Sequence, residues 1–456
     1  MSTFKITFAG GAQSPTGSNF LIEMGNKKIL IDCGLYQGEK YTLDANKEPF
    51  VYEPQSIDAL FVTHAHLDHV GKIPRLVKEG FVGEIYSTAP TRDIAELVML
   101  DSMGVLGKEA ARENTTPLYE ERDVLAAMRL WKDVNYHQKI TLNAGDGDIV
   151  IEYYDSGHIL GSGIVVILYK GKKIAFTGDL GNTPSPLMKD TEMIEGLDYL
   201  FMESVYGDRN HEDYATRVQL LRDALLTTIH AKGVLMIPAF SVERTQELLF
   251  YFNNMVEKGE IPQVPVFLDS PLGINVTKVY KKYEHMFNEN VSGIQKSGDD
   301  IFAFKGLVMT PSTDESKAIN TTASPKIIIA GSGMSNGGRI LHHESHYLPD
   351  PNNTIMIVGY QAVGTLGRKI VDDAKEIMIN GRMVAVRARV VNIHGFSAHK
   401  DSDHLVEFAG ASAKTLKKVY VILGEPKSSM YLAQRLHEHY GYPVEVPEKG
   451  QVVEID

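Results

Sequence analysis

Ala59-Leu-Phe-Val-Thr-His-Ala-His-Leu-Asp-His69 is a short β-rich run that opens directly into three histidines and an aspartate within six positions. Residues 59–63 read as a strand, so the donors begin where the strand ends. Side chains alternate in extended backbone, so His64 and His66 point the same way, and the turn beyond brings Asp68 and His69 to an adjacent position. Two such groups of imidazole and carboxylate donors suit two neighbouring metal ions, which together activate water and stabilise a developing oxyanion. A histidine-rich surface loop is the plain alternative. Against it stand partners at other strand ends: Asp32, His158 in Ser-Gly-His-Ile-Leu-Gly-Ser, and Asp179 in Phe-Thr-Gly-Asp-Leu-Gly. Each alone reads equally well as a cap or turn residue; together they complete a site.

The chain around this loop has 456 residues, which suggests about three domains at ~150 residues each. A hydrophobic share of 43% and a charged share of 23% exclude a disordered, collagenous or coiled-coil chain. The single cysteine, Cys33, excludes an internal disulfide and a cysteine-based zinc cluster, leaving histidine and carboxylate as metal ligands. No secretory signal opens the sequence and no apolar run reaches eighteen residues, so a soluble, cytoplasmic protein with no membrane partner is expected. With 46 Lys and Arg against 58 Asp and Glu, the net charge of −12 means that a polyanionic substrate would need a locally cationic site.

Working outward, residues 5–8, 20–23 and 28–32 read as strands separated by glycine turns, and 73–78 and 91–103 as helices. Strand signals return at 148–154, 163–169, 173–177 and 199–202. From about 207 helices (214–230, 241–256) alternate with parallel-type strands (233–238, 264–269, 327–330, 354–359), which argues for an α/β domain of its own. The end of the chain is strand-like at 382–391 and 418–423, with a helix at 430–440. No internal repeat or low-complexity linker is present.

With these motifs in place, the chain resembles the metallo-β-lactamase-fold nucleases of the β-CASP group, RNA-processing ribonucleases of compact bacterial and archaeal type, over essentially its whole length. The resemblance implies an α/β fold: a metallo-β-lactamase αββα sandwich (1–206), an inserted α/β β-CASP domain (207–380), and a returning part of the sandwich (381–456). It implies that His64, His66 and His158 bind one Zn2+, that Asp68 and His69 bind the other with Mn2+ as a possible substitute, and that Asp179 bridges. Asp32 is expected to support the histidine loop. Glu203 in Glu-Ser-Val-Tyr-Gly and His399 in Gly-Phe-Ser-Ala-His match two further family motifs. The family gives His399 a contact with the scissile phosphate or a proton-donor role, Glu203 orients it, and Asp68 joins both in the catalytic set. An imidazolium beside a carboxylate keeps its proton near neutral pH and can offer it to a leaving oxygen.

One position departs from the pattern. Where the family has a histidine before Gly-Glu at a late strand end, this chain has Leu423, which cannot ligate zinc. A natural variant with a weakened second metal site, an inactive member, or a substitution that traps substrate would each account for it. His394 is a candidate substitute donor.

Two glycine-rich loops follow buried strands: Gly331-Ser-Gly-Met-Ser-Asn-Gly-Gly-Arg-Ile340 and Gly359-Tyr-Gln-Ala-Val-Gly-Thr-Leu-Gly-Arg368. Neither has a Walker A ending, so nucleotide hydrolysis is disfavoured. Backbone amides and arginine forks in such loops can cradle phosphate. The candidate RNA contacts are Ser332, Gly333, Arg339, Thr365, Arg368, Ser397 and His399. Residues 381–400 add Arg382, Arg387, Arg389 and Lys400 with no acidic residue, and the alternation of Arg387 and Arg389 predicts one shared strand face. Tyr206 and Phe396 are candidates for stacking on bases or for the core.

The expected activity is zinc-dependent hydrolysis of single-stranded RNA, endonucleolytic or 5′-to-3′ exonucleolytic, with RNA as partner and a homodimer left open. The alternatives are an RNA-binding relative with weakened catalysis, prompted by Leu423, and a metallo-hydrolase acting on a small ester or cyclic phosphate.

Overall fold

The computed structural model describes residues 3–38, 44–362 and 364–456, apart from the side chains of Glu109, Arg112, Glu113 and His394. The chain forms two compact units, Met1–Asn210 with His399–Asp456, and His211–Ala398. The first chain crossing therefore falls four residues after the expected 206/207, and the second at 398/399 instead of 380/381.

In the first unit, β1 (Phe4–Gly10), β2 (Asn19–Met24), β3 (Lys27–Ile31), β4 (Ala59–Phe61), β5 (Glu84–Ser87) and β6 (Trp131–Asp133) form one sheet. β7 (Ile140–Asn143), β8 (Asp148–Asp155), β9 (Gly163–Tyr169), β10 (Lys172–Phe176) and β11 (Tyr199–Met202) form a second. Both sheets have seven strands, with orders β22-β1-β2-β3-β4-β5-β6 and β21-β20-β11-β10-β9-β8-β7, the last three strands being β20 (Lys418–Val421), β21 (Val444–Glu445) and β22 (Val452–Ile455). The tail thus closes both sheets.

Alternate residues of both sheets meet in one core, where Phe8, Phe20, Phe61, Phe176, Phe201 and Tyr420 are all buried. Phe176, Phe201 and Tyr420 stack in series at 4.3 and 4.7 Å between ring centroids. Each such side chain withdrawn from water contributes roughly 1.5–3 kcal/mol, which fixes strand register because a one-residue slip would turn these rings to the other face. Helices Ser402–Gly410 and Pro426–Tyr440 cover the outer face of the second sheet through Leu405, Phe408, Leu432 and Leu436. Helices Ala89–Glu113 and Glu121–Leu130 lie against β6 and β5 of the first. The result is a helix–sheet–sheet–helix sandwich.

The second unit contains β12 (Val234–Pro238), β13 (Val266–Asp269), β14 (Leu307–Met309), β15 (Lys326–Ala330) and β16 (Thr354–Val358), a hairpin of β17 (Glu376–Ile379) with β18 (Arg382–Ala385), and β19 (Arg389–Ile393). Its sheet is parallel throughout, in the order β14-β13-β15-β12-β16-β19. β12, β13, β15 and β16 are buried at every residue, as a sheet covered by helices on both faces requires.

Residues 382–391 are not the single strand that the sequence suggests. β18 pairs only with β17, while β19 pairs with β16 in the parallel sheet. Between them Val386 N–H donates to Lys375 O, and Arg387 and Ala388 N–H both donate to Leu348 O, which turns the chain. Arg387 lies in that turn, so it shares no strand face with Arg389. Lys400 is buried, its Nζ donating to Gly181 O at 2.9 Å and Thr183 Oγ1 at 3.1 Å, and it is not part of an exposed cationic patch. Among the described residues no helix is long and apolar enough to cross a membrane.

Candidate metal centre

The histidine loop begins where β4 ends, and its shape is set by Asp32 at the end of neighbouring β3. Asp32 is fully buried and sits at φ 58°, a left-handed conformation that turns its carboxylate under the loop. That carboxylate accepts Thr63 N–H at 2.8 Å, Ser18 Oγ at 2.9 Å and Thr63 Oγ1 at 2.9 Å, and lies 2.7 Å from His69 Nδ1. Thr63 Oγ1 is also 3.1 Å from His64 Nδ1, so one hydroxyl and one carboxylate orient both imidazoles. A Cβ on Gly34 would stand 1.5 Å from Asp68 O, which leaves only glycine able to run beneath the loop. Thr63 belongs to this support, and its place at the strand end was the only sequence signal for it.

The other donors come from turns after two strands of the second sheet. His158 lies in the turn after β8, where Ser162 Oγ accepts its N–H at 3.1 Å. Asp179 follows β10, and Gly181 lies so close to Gly157 O that a Cβ would meet it at 2.0 Å, locking the two turns together. The ring nitrogens His64 Nε2 and His158 Nε2 lie 3.0 and 3.2 Å from His66 Nδ1. Asp179 Oδ2 is 3.4 Å from His64 Nε2 and 3.5 Å from His158 Nε2. Its other oxygen, Oδ1, is 3.4 Å from His69 Nε2, an atom that is buried without a hydrogen-bond partner. Asp68 Oδ2 is 4.0 Å from the same nitrogen.

This arrangement fits a divalent cation. Ligands on a tetrahedral ion at ~2.0–2.1 Å are separated by roughly 3.3 Å, close to the spacing of the three ring nitrogens. Burial lowers the pKa of His64, His66 and His158, keeping them neutral as metal ligation requires. Burial raises the pKa of Asp179, but His69, His64 and His399 outweigh it and hold the carboxyl ionised well below its ordinary range. His64, His66, His158 and Asp179 are the residues that could hold one ion, and His69 with Asp68 faces the opposite oxygen of Asp179.

On the flank of this group stands His399, whose Nδ1 is 3.1 Å from Glu203 Oε2 and 3.9 Å from Asp179 Oδ2. Burial disfavours its charge, but the Glu203 and Asp179 carboxylates overcome this and raise its pKa to about 9. His399 thus carries a proton at neutral pH. Glu203 is itself fixed by Leu180 N–H, and its backbone N–H donates to Thr177 Oγ1 at 3.1 Å. Gly181 and His399 form a backbone bridge. Leu423 lies in the apolar core at φ 49°, its N–H donating to Gly11 O at 2.7 Å. The side chain of His394 lies outside the described residues.

The two glycine-rich loops of the second unit meet at the carboxyl ends of β15 and β16, where ligands of open parallel sheets are commonly held. Gln361 Nε2 donates to Gly333 O at 3.0 Å, Gly367 N–H to Met334 O at 3.1 Å, and Leu366 N–H to Asn336 Oδ1 at 3.2 Å. Ser332 Oγ accepts Asn336 N–H at 3.1 Å, Gly333 abuts the Phe240 ring, and Thr365 caps helix Leu366–Val371. Arg339 directs its guanidinium to Asp269 Oδ1 at 2.7 Å and to Thr310 O and Pro311 O, which commits those donors to protein acceptors. Arg368 pairs with Asp372 at 2.9 Å on the surface, and Ser397 is buried. Tyr206 and Phe396 are 2% and 0% exposed, which removes both from any surface on which bases could stack.

Comparison with known proteins adds family relationships to this geometry. Residues 21–197 match the metallo-beta-lactamase superfamily domain, 245–370 the Beta-Casp domain, and 383–447 the Zn-dependent metallo-hydrolase RNA specificity domain. The chain is 34% identical to Ribonuclease TTHA0252 of Thermus thermophilus over 94% of each chain. It is 32% identical to an RNase J-like protein of Methanocaldococcus jannaschii over 99% of each, and 32% identical to Transcription termination factor FttA of Methanosarcina mazei over 95% of this chain and 69% of that one. A crystal structure of a protein of unknown function from Enterococcus faecalis V583 aligns with 99% of this chain at a TM-score of 0.55 and 14% identity, a likeness of fold alone.

Proposed function

Since this chain belongs to the β-CASP family of metallo-β-lactamase-fold RNA-processing nucleases and is a metal-dependent hydrolase acting on RNA, we propose that it is a zinc-dependent ribonuclease cleaving single-stranded RNA, as an endonuclease, a 5′-to-3′ exonuclease or both. The observation that carries this reading is the convergence of His64, His66, His158 and Asp179 within 4.8 Å, with Asp179 turned to His69 by its second oxygen. His64, His66 and His158 would hold one ion, Asp68 and His69 a second, and Asp179 both. Such ions supply Lewis-acid stabilisation of phosphoryl charge and a water of lowered pKa.

The chain's own residues do the rest. Asp32 and Thr63 hold the imidazoles in place, and Glu203 keeps His399 protonated and oriented through Nδ1, so that Nε2 delivers the proton to the leaving oxygen. Ser332, Gly333, Thr365, Arg368 and Ser397 are proposed to bear on the RNA backbone, and Arg339 to shape the loop they share.

The test is cleavage of 5′- and 3′-labelled single-stranded RNA, beside a panel of thioester, lactam and cyclic-phosphate substrates, after reconstitution with Zn2+ or Mn2+. RNA cleavage with Zn2+, lost at least a hundredfold with Asp179→Asn together with bound metal, is the expected result. Full turnover by Asp179→Asn would remove the bridging role, and turnover of a small ester alone would remove the nuclease reading. Leu423 favours one second reading, an RNA-binding relative of weakened catalysis, for which RNA would bind yet stay intact with either metal.

A further inference from the structure

The chain passes from one unit to the other twice, after Asn210 and before His399, and within each unit the two passing stretches are fastened to each other. In the first unit Tyr206 and Asp401 form a parallel bridge, Ser402 N–H donates to Arg209 O at 3.1 Å, and Asn210 Nδ2 donates to Asp403 Oδ2 at 2.8 Å. In the second unit Arg217, in the first turn of helix Tyr214–His230, donates from Nη1 to Gly395 O. Gly395 packs so tightly there that a Cβ would lie 3.1 Å from Glu212 O and 3.2 Å from Arg217 Cβ.

Phe396, the next residue, is fully buried with a guanidinium to each side: Arg217 Cζ lies 5.9 Å and Arg244 Cζ 6.0 Å from its ring centroid, and the Tyr251 ring meets it edge-on at 5.4 Å. Arg244 is held in turn by Glu243 at 3.1 Å and by Glu247. Glu243 takes up a φ of 70°, a conformation costly for any residue with a side chain. Two arginines and two glutamates are thus buried around one phenylalanine. An apolar cluster of the same volume would be at least as stabilising, so what the ionic one adds is fixed geometry.

Three residues separate Phe396 from His399, a reach of roughly 10 Å of extended chain. We propose that Arg217, with Arg244 behind it, is a positioning residue for His399: by clamping Gly395 and Phe396 it sets where the chain enters the first unit, and so how the imidazole held by Glu203 meets the leaving oxygen. This rests on the proton-donor reading of His399 above. The strained Glu243 backbone and the close packing at Gly395 are consistent with a clamp retained for position, since a displacement of ~1 Å at a reacting group can cost about a hundredfold in rate.

The test compares RNA with bis(p-nitrophenyl) phosphate, whose leaving group departs without a proton. In the metal-loaded protein, Arg217→Met should lower kcat on RNA about ten- to a hundredfold with KM and bound metal unchanged, and leave the nitrophenyl ester unaffected, while Arg217→Lys recovers part of the loss. Phe396→Leu should behave likewise and serves if Arg217→Met does not fold. A parallel loss on both substrates, or no loss on either, overturns the proposal. His399→Ala separates the premise from the inference: if it fails to distinguish the substrates, the proton-donor role falls and the clamp with it; if it distinguishes them and the clamp variants do not, only the clamp falls.

Discussion

Leu423 shows how a single position can be settled by two competing demands. It is wholly buried with φ 49°, and its Cδ2 would lie 2.8 Å from a Cβ on Gly11, so it packs as a core residue in a conformation that leucine seldom adopts. A histidine there would give up apolar burial, and without an ion it would leave ring nitrogens unpaired. Leu423→His is therefore expected to melt lower than the parent protein when metal-free, and to recover with Zn2+ while binding a second equivalent and cleaving RNA faster. Unchanged zinc stoichiometry would disprove its assignment to a ligand position.

Glu344 offers a test that no metal complicates. It is buried in the second unit, one carboxylate oxygen accepting from Ser335 Oγ and the other lacking a hydrogen-bond partner, and burial raises its pKa to about 8. In the unfolded chain the same carboxyl titrates near ~4.3. Between these values the folded protein keeps a proton that the unfolded chain has lost, so this group's contribution to stability falls as pH rises from about 4 to about 8, then levels off. Glu344→Gln keeps a neutral side chain at all pH. Urea midpoints at pH 5 and pH 9 should show the parent protein losing more than ~1 kcal/mol relative to Glu344→Gln, and an identical pH dependence in both would refute the shift.

At the scale of elements, the site depends on turns that glycine and one buried lysine hold together. Lys400 is placed between the turn that carries Asp179 and the segment that carries His399: its Nζ reaches Gly181 O and Thr183 Oγ1, and its N–H donates to Leu180 O at 2.8 Å. Lys400→Met keeps the length of the chain and removes the donors. Amide hydrogen exchange at residues 180–183 should then quicken and RNA turnover drop about tenfold, whereas unchanged exchange would show that the strand bridge alone holds the turn.

The strand-to-loop logic that revealed His64, His66, Asp68 and His69 was readable because period-two burial and a dense run of ligands coincide at the end of β4. Lys400 was not readable in that way, since a lysine in a basic stretch looks the same in sequence whether it faces water or a carbonyl. The break at 386–388 was hidden for a related reason. Its cause is the Leu348 carbonyl, which accepts two N–H groups from a position about forty residues away. Arg339 was legible as a loop arginine, but its acceptors, Asp269 and two carbonyls, come from different strand ends.

At the scale of the whole molecule, stability and chemistry are distributed unequally between the two units. The first unit concentrates His64, His69, His158, Asp32 and Asp179 in a nearly dry site, where ionised carboxylates and neutral imidazoles are costly unless paired or bound to a cation. The second has its own buried network, Asp269 with His343, Arg339, Ser316 and Thr310, which is satisfied by protein donors alone. Metal removal should therefore be felt on one side only. An ion present at a hundred times its dissociation constant stabilises the folded state by ~2.7 kcal/mol, or about 5–10 °C in melting temperature for a unit of this size. The chain's one tryptophan, Trp131 in β6, reports the first unit selectively. With EDTA, the Trp131 fluorescence transition is expected to fall by about that amount while the remaining circular-dichroism transition stays in place. Equal shifts of both transitions, or an unmoved tryptophan signal, would show that the buried imidazoles and carboxylates do not depend on bound metal for their stability.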